Sequence, residues 1–121
     1  VGTQPNFTKP NSRAHRRPSQ RAALVLLPAE GCTLPVPDLP AGREWSEVER
    51  DRWEQLWTSP QATQWDETAS GTVALLVTYE TLLLAGQGSA WTAAEARHCG
   101  DALGLTPRAM AALGWAVETT T

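Results

Sequence analysis

An all-α body of about four helices built round a central antiparallel hairpin, preceded by a basic arm and a proline-rich lead-in, is the fold class that three features predict. The first is the run DETASGTVALLVTYETLLLA at 66–85, in which Asp66 is a good N-cap and Gly86 a good stop. The second is a pair of capping boxes, Ser46 with Glu49 and Thr92 with Glu95, each opening a stretch with helical spacing. The third is that no strand pattern interrupts the helical series that follows.

Taken in order, residues 1–21 form a flexible basic arm. They are rich in Pro, Asn, Ser and Arg, with Phe7 as the single large apolar anchor, so they bury too little surface to offset the entropy of ordering. Residues 22–44 form an extended lead-in. The apolar run 22–27 reads as a short strand or a tether, and Pro28, Pro35, Pro37 and Pro40 then exclude regular helix or central strand. Residues 45–121 form the helical body. Trp53, Leu56 and Trp57 recur at helical spacing after Ser46, which predicts a helix over 47–57 that Ser59 and Pro60 end. A short connection leads into one long helix over 66–85, so the two form a hairpin. Trp45, Trp53, Trp57 and Trp65 gather near the junction as core packing. A third helix runs from the Thr92 cap to Leu103 before Gly104, and a fourth starts at Thr106 and Pro107 and ends near Val117.

On a helical wheel the central helix has two apolar stripes. Val73, Leu76, Val77, Leu83 and Leu84 form one, and Leu75, Tyr79 and Leu82 form a second on an adjoining face. A small domain's own core accounts for one stripe, and the second needs another partner. Glu80 falls among Val73, Val77 and Leu84, where a charge is costly unless paired, with Arg97 or Arg108 as candidates.

The apolar content of 41% is that of an ordinary soluble protein, and the net charge of −3 conceals a division. Lys9, Arg13, Arg16, Arg17 and Arg21 give residues 1–21 a charge of +5 with no acid, while the remaining chain sets five basic groups against thirteen acids, a charge of −8. A basic arm suited to successive phosphates is thus joined to a body that repels a polyanion. The apolar run 22–27 is shorter than the roughly 7 to 15 residues of a signal-peptide core. Thr78, Glu80 and Thr81 break the central helix before the roughly 20 apolar residues of a membrane span. Nothing points to export or a membrane.

No catalytic constellation, metal motif or cofactor motif emerges. Cys32 and Cys99 stand apart and read as free thiols. The loop 86–89 lacks the Gly-Lys-Ser/Thr ending of a P-loop. His98 and Asp101 lie one turn apart without a nucleophile tied to them. Glu44, Glu47, Glu49, Asp51 and Glu54 alternate with Arg50 and Arg52 in the manner of a solvated helix face. The segment AEARHCGDALGLTPRAMAALGW has a helix-turn-helix outline, yet Arg108 is the one basic group on its second helix.

The order REWSEVERDRWEQLWTSPQATQWD, a long apolar helix, then LGLTPRAMAALGW before an acidic stop resembles the small terminase subunits of tailed phages that infect actinobacteria. The similarity covers roughly 34–118. The resemblance implies a non-enzymatic viral DNA-packaging factor of the host bacterial cytoplasm. Such a factor assembles into a homo-oligomeric ring, engages double-stranded viral DNA at its packaging start and delivers it to the large terminase subunit. On that reading Lys9, Arg13, Arg16, Arg17 and Arg21 contact DNA, while Leu75, Tyr79, Glu80 and Leu82 face a neighbouring subunit. Relatives often carry several arginines after the Leu-Thr-Pro turn, where this chain has Arg108 and small apolar residues. Two rivals keep the same fold: a phage head or adaptor module without DNA binding, and a dimeric helix-turn-helix regulator.

Overall fold

The computed structural model describes residues 24–119, and the expected arm at 1–21 lies outside them. The described chain runs β1 (Val25–Leu27), α1 (Glu47–Trp57), two 3-10 turns (Pro60–Gln64 and Glu67–Ala69), α2 (Ser70–Leu84), α3 (Ala90–Ala102), α4 (Pro107–Leu113) and β2 (Trp115–Val117). It is mostly helical but not strictly all-α, because β1 and β2 pair in parallel with Val25 opposite Trp115 and Leu27 opposite Val117. The strand reading of the 22–27 run therefore holds, and the absence of strands in the body does not.

The fourth helix stops before Val117 for a local reason. Gly114 adopts a left-handed conformation at φ 75° and its N–H closes back on Ala111 O, so the chain leaves α4 extended. Val25 N–H donates to Gly114 O and Glu118 N–H to Leu27 O, both at 2.8 Å, which stitches the two ends of the described chain together. Leu27 is fully buried.

After β1 the chain turns at Gly31, whose φ of +89° suits glycine and whose missing Cβ leaves room for the Thr58 carbonyl oxygen. Cys32 N–H donates to that carbonyl at 3.1 Å, so the lead-in is anchored to the end of α1. The prolines that follow supply carbonyls without N–H groups, and two indoles use them. Trp53 Nε1 donates to Pro37 O at 2.7 Å and Trp45 Nε1 to Pro40 O at 3.0 Å. Each indole keeps its apolar ring against the core and satisfies its one donor on the strap that covers it.

α1 opens with the expected capping box: Ser46 Oγ accepts from Glu49 N–H, and Glu49 Oε1 accepts from Ser46 N–H. Asp66 does cap, accepting from Thr68 N–H at 2.9 Å and from the Thr68 hydroxyl. Those bonds hold its carboxyl below the ordinary aspartate range. What it caps is a 3-10 turn that leads into α2, not one continuous α-helix. α3 begins a turn earlier than expected, because Ser89 and Thr92 form the box and Glu95 takes no part in it.

The core lies between α1 and α2, with Leu103 closing it from α3. Trp53, Leu56, Trp57, Val73, Leu76 and Val77 are buried there together. Trp53 and Trp57 pack with ring centroids 5.8 Å apart, and Trp57 meets Trp65 edge to face at 5.2 Å. Trp65 Nε1 donates to Leu103 O at 2.9 Å, which joins the hairpin loop to the end of α3. The expected tryptophan cluster is present. Cys32 is buried and Cys99 half-buried, both as free thiols, and burial pushes the Cys99 thiol up, helped by the nearby Glu95 carboxylate.

Candidate functional site

Helix α2 separates two apolar surfaces. Its buried side, Val73, Leu76 and Val77, is fixed by the core. On the opposite side Leu75, 49% exposed, and Leu82 stand in solvent, with the half-buried Tyr79 between them. Trp91 in the first turn of α3 is 62% exposed and meets Tyr79 edge to face, ring centroids 5.8 Å apart. The result is a ridge of Leu75, Tyr79, Leu82 and Trp91. Trp91 was not among the sequence-based candidates. Its position two residues after the Ser89 cap and beside the end of α2 follows from the 86–89 reversal, and no local pattern announces it.

The other end of α2 differs from expectation. Leu84 is 87% exposed rather than part of the core stripe, because it lies in the last turn of α2, past the packed core residues. It lines a groove of about 520 Å³ between α1 and α2 with Val48 and Leu83, beside the polar Asp51, Arg52, Gln55, Glu80 and Thr81. Glu80 does have a cation, but it is Arg52, not Arg97 or Arg108. Arg52 Nε and Nη2 donate to its two carboxylate oxygens at 2.8 and 3.1 Å, across from α1. Glu80 therefore sits on the groove wall and not on the ridge with Leu75, Tyr79 and Leu82.

The acidic run on α1 is not a uniformly solvated face. Glu47, Asp51 and Glu54 are exposed, whereas Glu49 is buried under Arg43, whose Nη1 and Nη2 donate to its two oxygens at 3.2 and 2.7 Å. Arg43 also stacks 3.5 Å over the Trp45 ring and donates to Thr78 Oγ1 at 2.9 Å, which ties the lead-in to α1 and α2. This geometry holds the Glu49 carboxyl well below its ordinary 4.5, at about 2, chiefly through the Arg43 hydrogen bonds.

Between α3 and α4, an open polar groove is lined by Arg97, His98, Asp101 and Arg108. His98 and Asp101 do not act as a pair. Asp101 accepts the Thr106 hydroxyl at 2.7 Å, and His98 Nδ1 lies 3.4 Å from Glu95. Arg97 and Arg108 are exposed and have no acid partner among the described residues. α4 is seven residues long and buries Ala109, so Arg108 is the sole cation it presents. Among the described residues no three His, Cys, Asp or Glu side chains converge as a metal site, and no helix is long and apolar enough to cross a membrane. Lys9, Arg13, Arg16, Arg17 and Arg21 lie outside the described residues.

Comparison with known proteins gives a match over almost the whole chain: the family model described as phage terminase small subunit covers residues 2–121. Neither a curated protein nor a solved structure matches it.

Proposed function

Because the chain belongs to the phage terminase small subunit family, we propose that it assembles into a ring of identical subunits. In this reading the ring gathers viral DNA at the packaging start through residues 1–21 and passes it to the large terminase subunit in the host cytoplasm. Family membership places the chain in phage DNA packaging. The observation that carries the finer reading is the division of charge, +5 in residues 1–21 against −8 in the remainder. A body so acidic does not attract a polyanion, so DNA affinity falls to the basic segment. Phosphate contacts from a single short segment are weak. Several such segments on one assembly raise the effective concentration of each for the same duplex, so modest contacts sum to useful affinity.

The chain itself is non-catalytic in this reading. Self-association is assigned to the uncharged side of α2, where Leu75 and Leu82, flanking Tyr79, leave apolar surface exposed among the described residues. Glu80 lies away from that surface, on the groove wall round α2, where Arg52 pairs with it.

The test is a titration with double-stranded DNA across a salt series. Deleting residues 1–21 is expected to flatten the slope of log affinity against log salt by up to about 0.9 per lost phosphate contact, while the mass of the assembly stays unchanged. An unchanged slope removes the basic segment from the mechanism. Arg108→Ala is expected to leave binding intact, and a large loss would select the helix-turn-helix regulator instead. The charge of −8 also favours one rival, a head or adaptor component without DNA binding. Absence of DNA binding at low salt by the intact chain would select that rival.

A further inference from the structure

We infer that the ridge of Leu75, Tyr79, Leu82 and Trp91 on one copy docks into the α1–α2 groove of the next copy, lined by Val48, Leu83 and Leu84, so that the two faces form a single head-to-tail joint. The inference rests on the self-association proposed above and names its second half.

The two faces are distinct parts of the same helix. At about 100° per residue, Leu84 lies about 180° round α2 from Leu75, and Leu82 lies close to Leu75. A two-fold dimer uses one patch twice and would leave the other exposed, whereas a head-to-tail contact covers both and repeats. Each face groups exposed large side chains: Trp91 at 62% and Leu75 at 49% on the ridge, Leu84 at 87% and Val48 at 63% in the groove.

Their charges are compatible. None of the four ridge residues is charged, and Glu80, the one ionisable acid or base on α2 apart from Tyr79, lies on the groove side. The groove lining holds three charged residues: Arg52 and Glu80, which neutralise each other, and the exposed Asp51. The joint therefore leaves Asp51 in water, on the side of the groove where it also borders Glu54 and Thr58. Leu75, Leu82, Trp91, Leu84 and Val48 together expose on the order of 500 Å² of residue surface, so residues flanking both faces also contribute if the joint is to reach the roughly 1,000 Å² of specific association. The groove volume of about 520 Å³ is within the range of pockets that hold a small ligand.

A mixing experiment tests this. The ridge variant carries Leu75→Lys and Leu82→Lys; the groove variant carries Val48→Lys and Leu84→Lys. All four positions are exposed, so both variants are expected to keep the wild-type circular dichroism spectrum and unfolding midpoint of an isolated subunit. Lysine on both faces also prevents the two disabled ends from attracting each other. Each variant alone is expected to be monomeric by mass measurement. An equimolar mixture is expected to form a dimer and nothing larger, because one intact ridge then meets one intact groove. A mixture that stays monomeric while the wild-type chain assembles overturns the joint and leaves self-association standing. A groove variant that dimerises alone also overturns it, in favour of a two-fold ridge contact. A wild-type chain that is monomeric overturns both the joint and the ring.

Discussion

Replacing Trp53 by alanine is expected to destabilise the fold by about 3–5 kcal/mol, the range for deleting a large buried aromatic. Three losses combine. The buried ring leaves a cavity against Trp57, its partner at 5.8 Å, because neighbouring helices relax only partly into such a space. The Pro37 carbonyl loses the indole donor at 2.7 Å, and Pro37 belongs to a strap with few other hydrogen bonds to the body. Loosening that strap also exposes Cys32 and the side of α1 it covers. For a domain of this size the melting temperature should fall by about 15 °C or more. Trp53→Phe keeps most of the ring and loses the N–H, so it should cost about 1–2 kcal/mol. Trp91→Ala, at an exposed position, should change the unfolding of an isolated subunit by about 1 kcal/mol or less. Urea titrations followed by far-ultraviolet circular dichroism separate the three. If Trp53→Ala costs no more than Trp91→Ala, the strap does not pack on α1 as described.

How much of this was legible beforehand depended on the distance over which each interaction acts. The Ser46–Glu49 box spans three residues and can be read directly, as can the tryptophans that recur along α1. Where two local signals overlap, the reading slips by a turn. Ser89 and Thr92 both satisfy the requirements of a cap, and the structure uses Ser89 as cap with Thr92 as its reciprocal partner. The parallel pairing of Val25–Leu27 with Trp115–Val117 joins the two ends of the described chain, and three residues carry too little pattern to predict it. A helical wheel gave the direction of Leu84 correctly but not where the packed core stops along the axis, so a residue pointing inward by angle ended in solvent. Glu80 was recognised as needing a cation. Its partner, Arg52, could not be chosen from sequence because it depends on how α1 and α2 are aligned in the hairpin.

Glu49 shows the same limit and leads to the second large effect. Its spacing among Glu47, Asp51 and Glu54 suggested a solvated face, but Arg43 folds back from the lead-in and covers it. The Glu49 carboxyl is held at about 2 instead of 4.5, so the folded state binds its proton less readily than the unfolded chain does. A depressed acid contributes its full stability above the unfolded value and loses it as pH falls through the folded one. The window is therefore between about pH 4.5 and pH 2. Because Arg43 is 41% exposed, solvent screening reduces the contribution to on the order of 2 kcal/mol. Glu49→Gln keeps an acceptor for the Ser46 N–H and removes the charge. It is expected to be less stable than the wild-type chain by about that amount at pH 7, with a flatter stability curve below pH 4.5, so that the two proteins converge near pH 2. High salt should narrow the difference at pH 7 without abolishing it, since one partner is buried and the other is not. Parallel stability curves for the two proteins from pH 7 to pH 2 would show that the Arg43–Glu49 contact does not hold the lead-in to the hairpin.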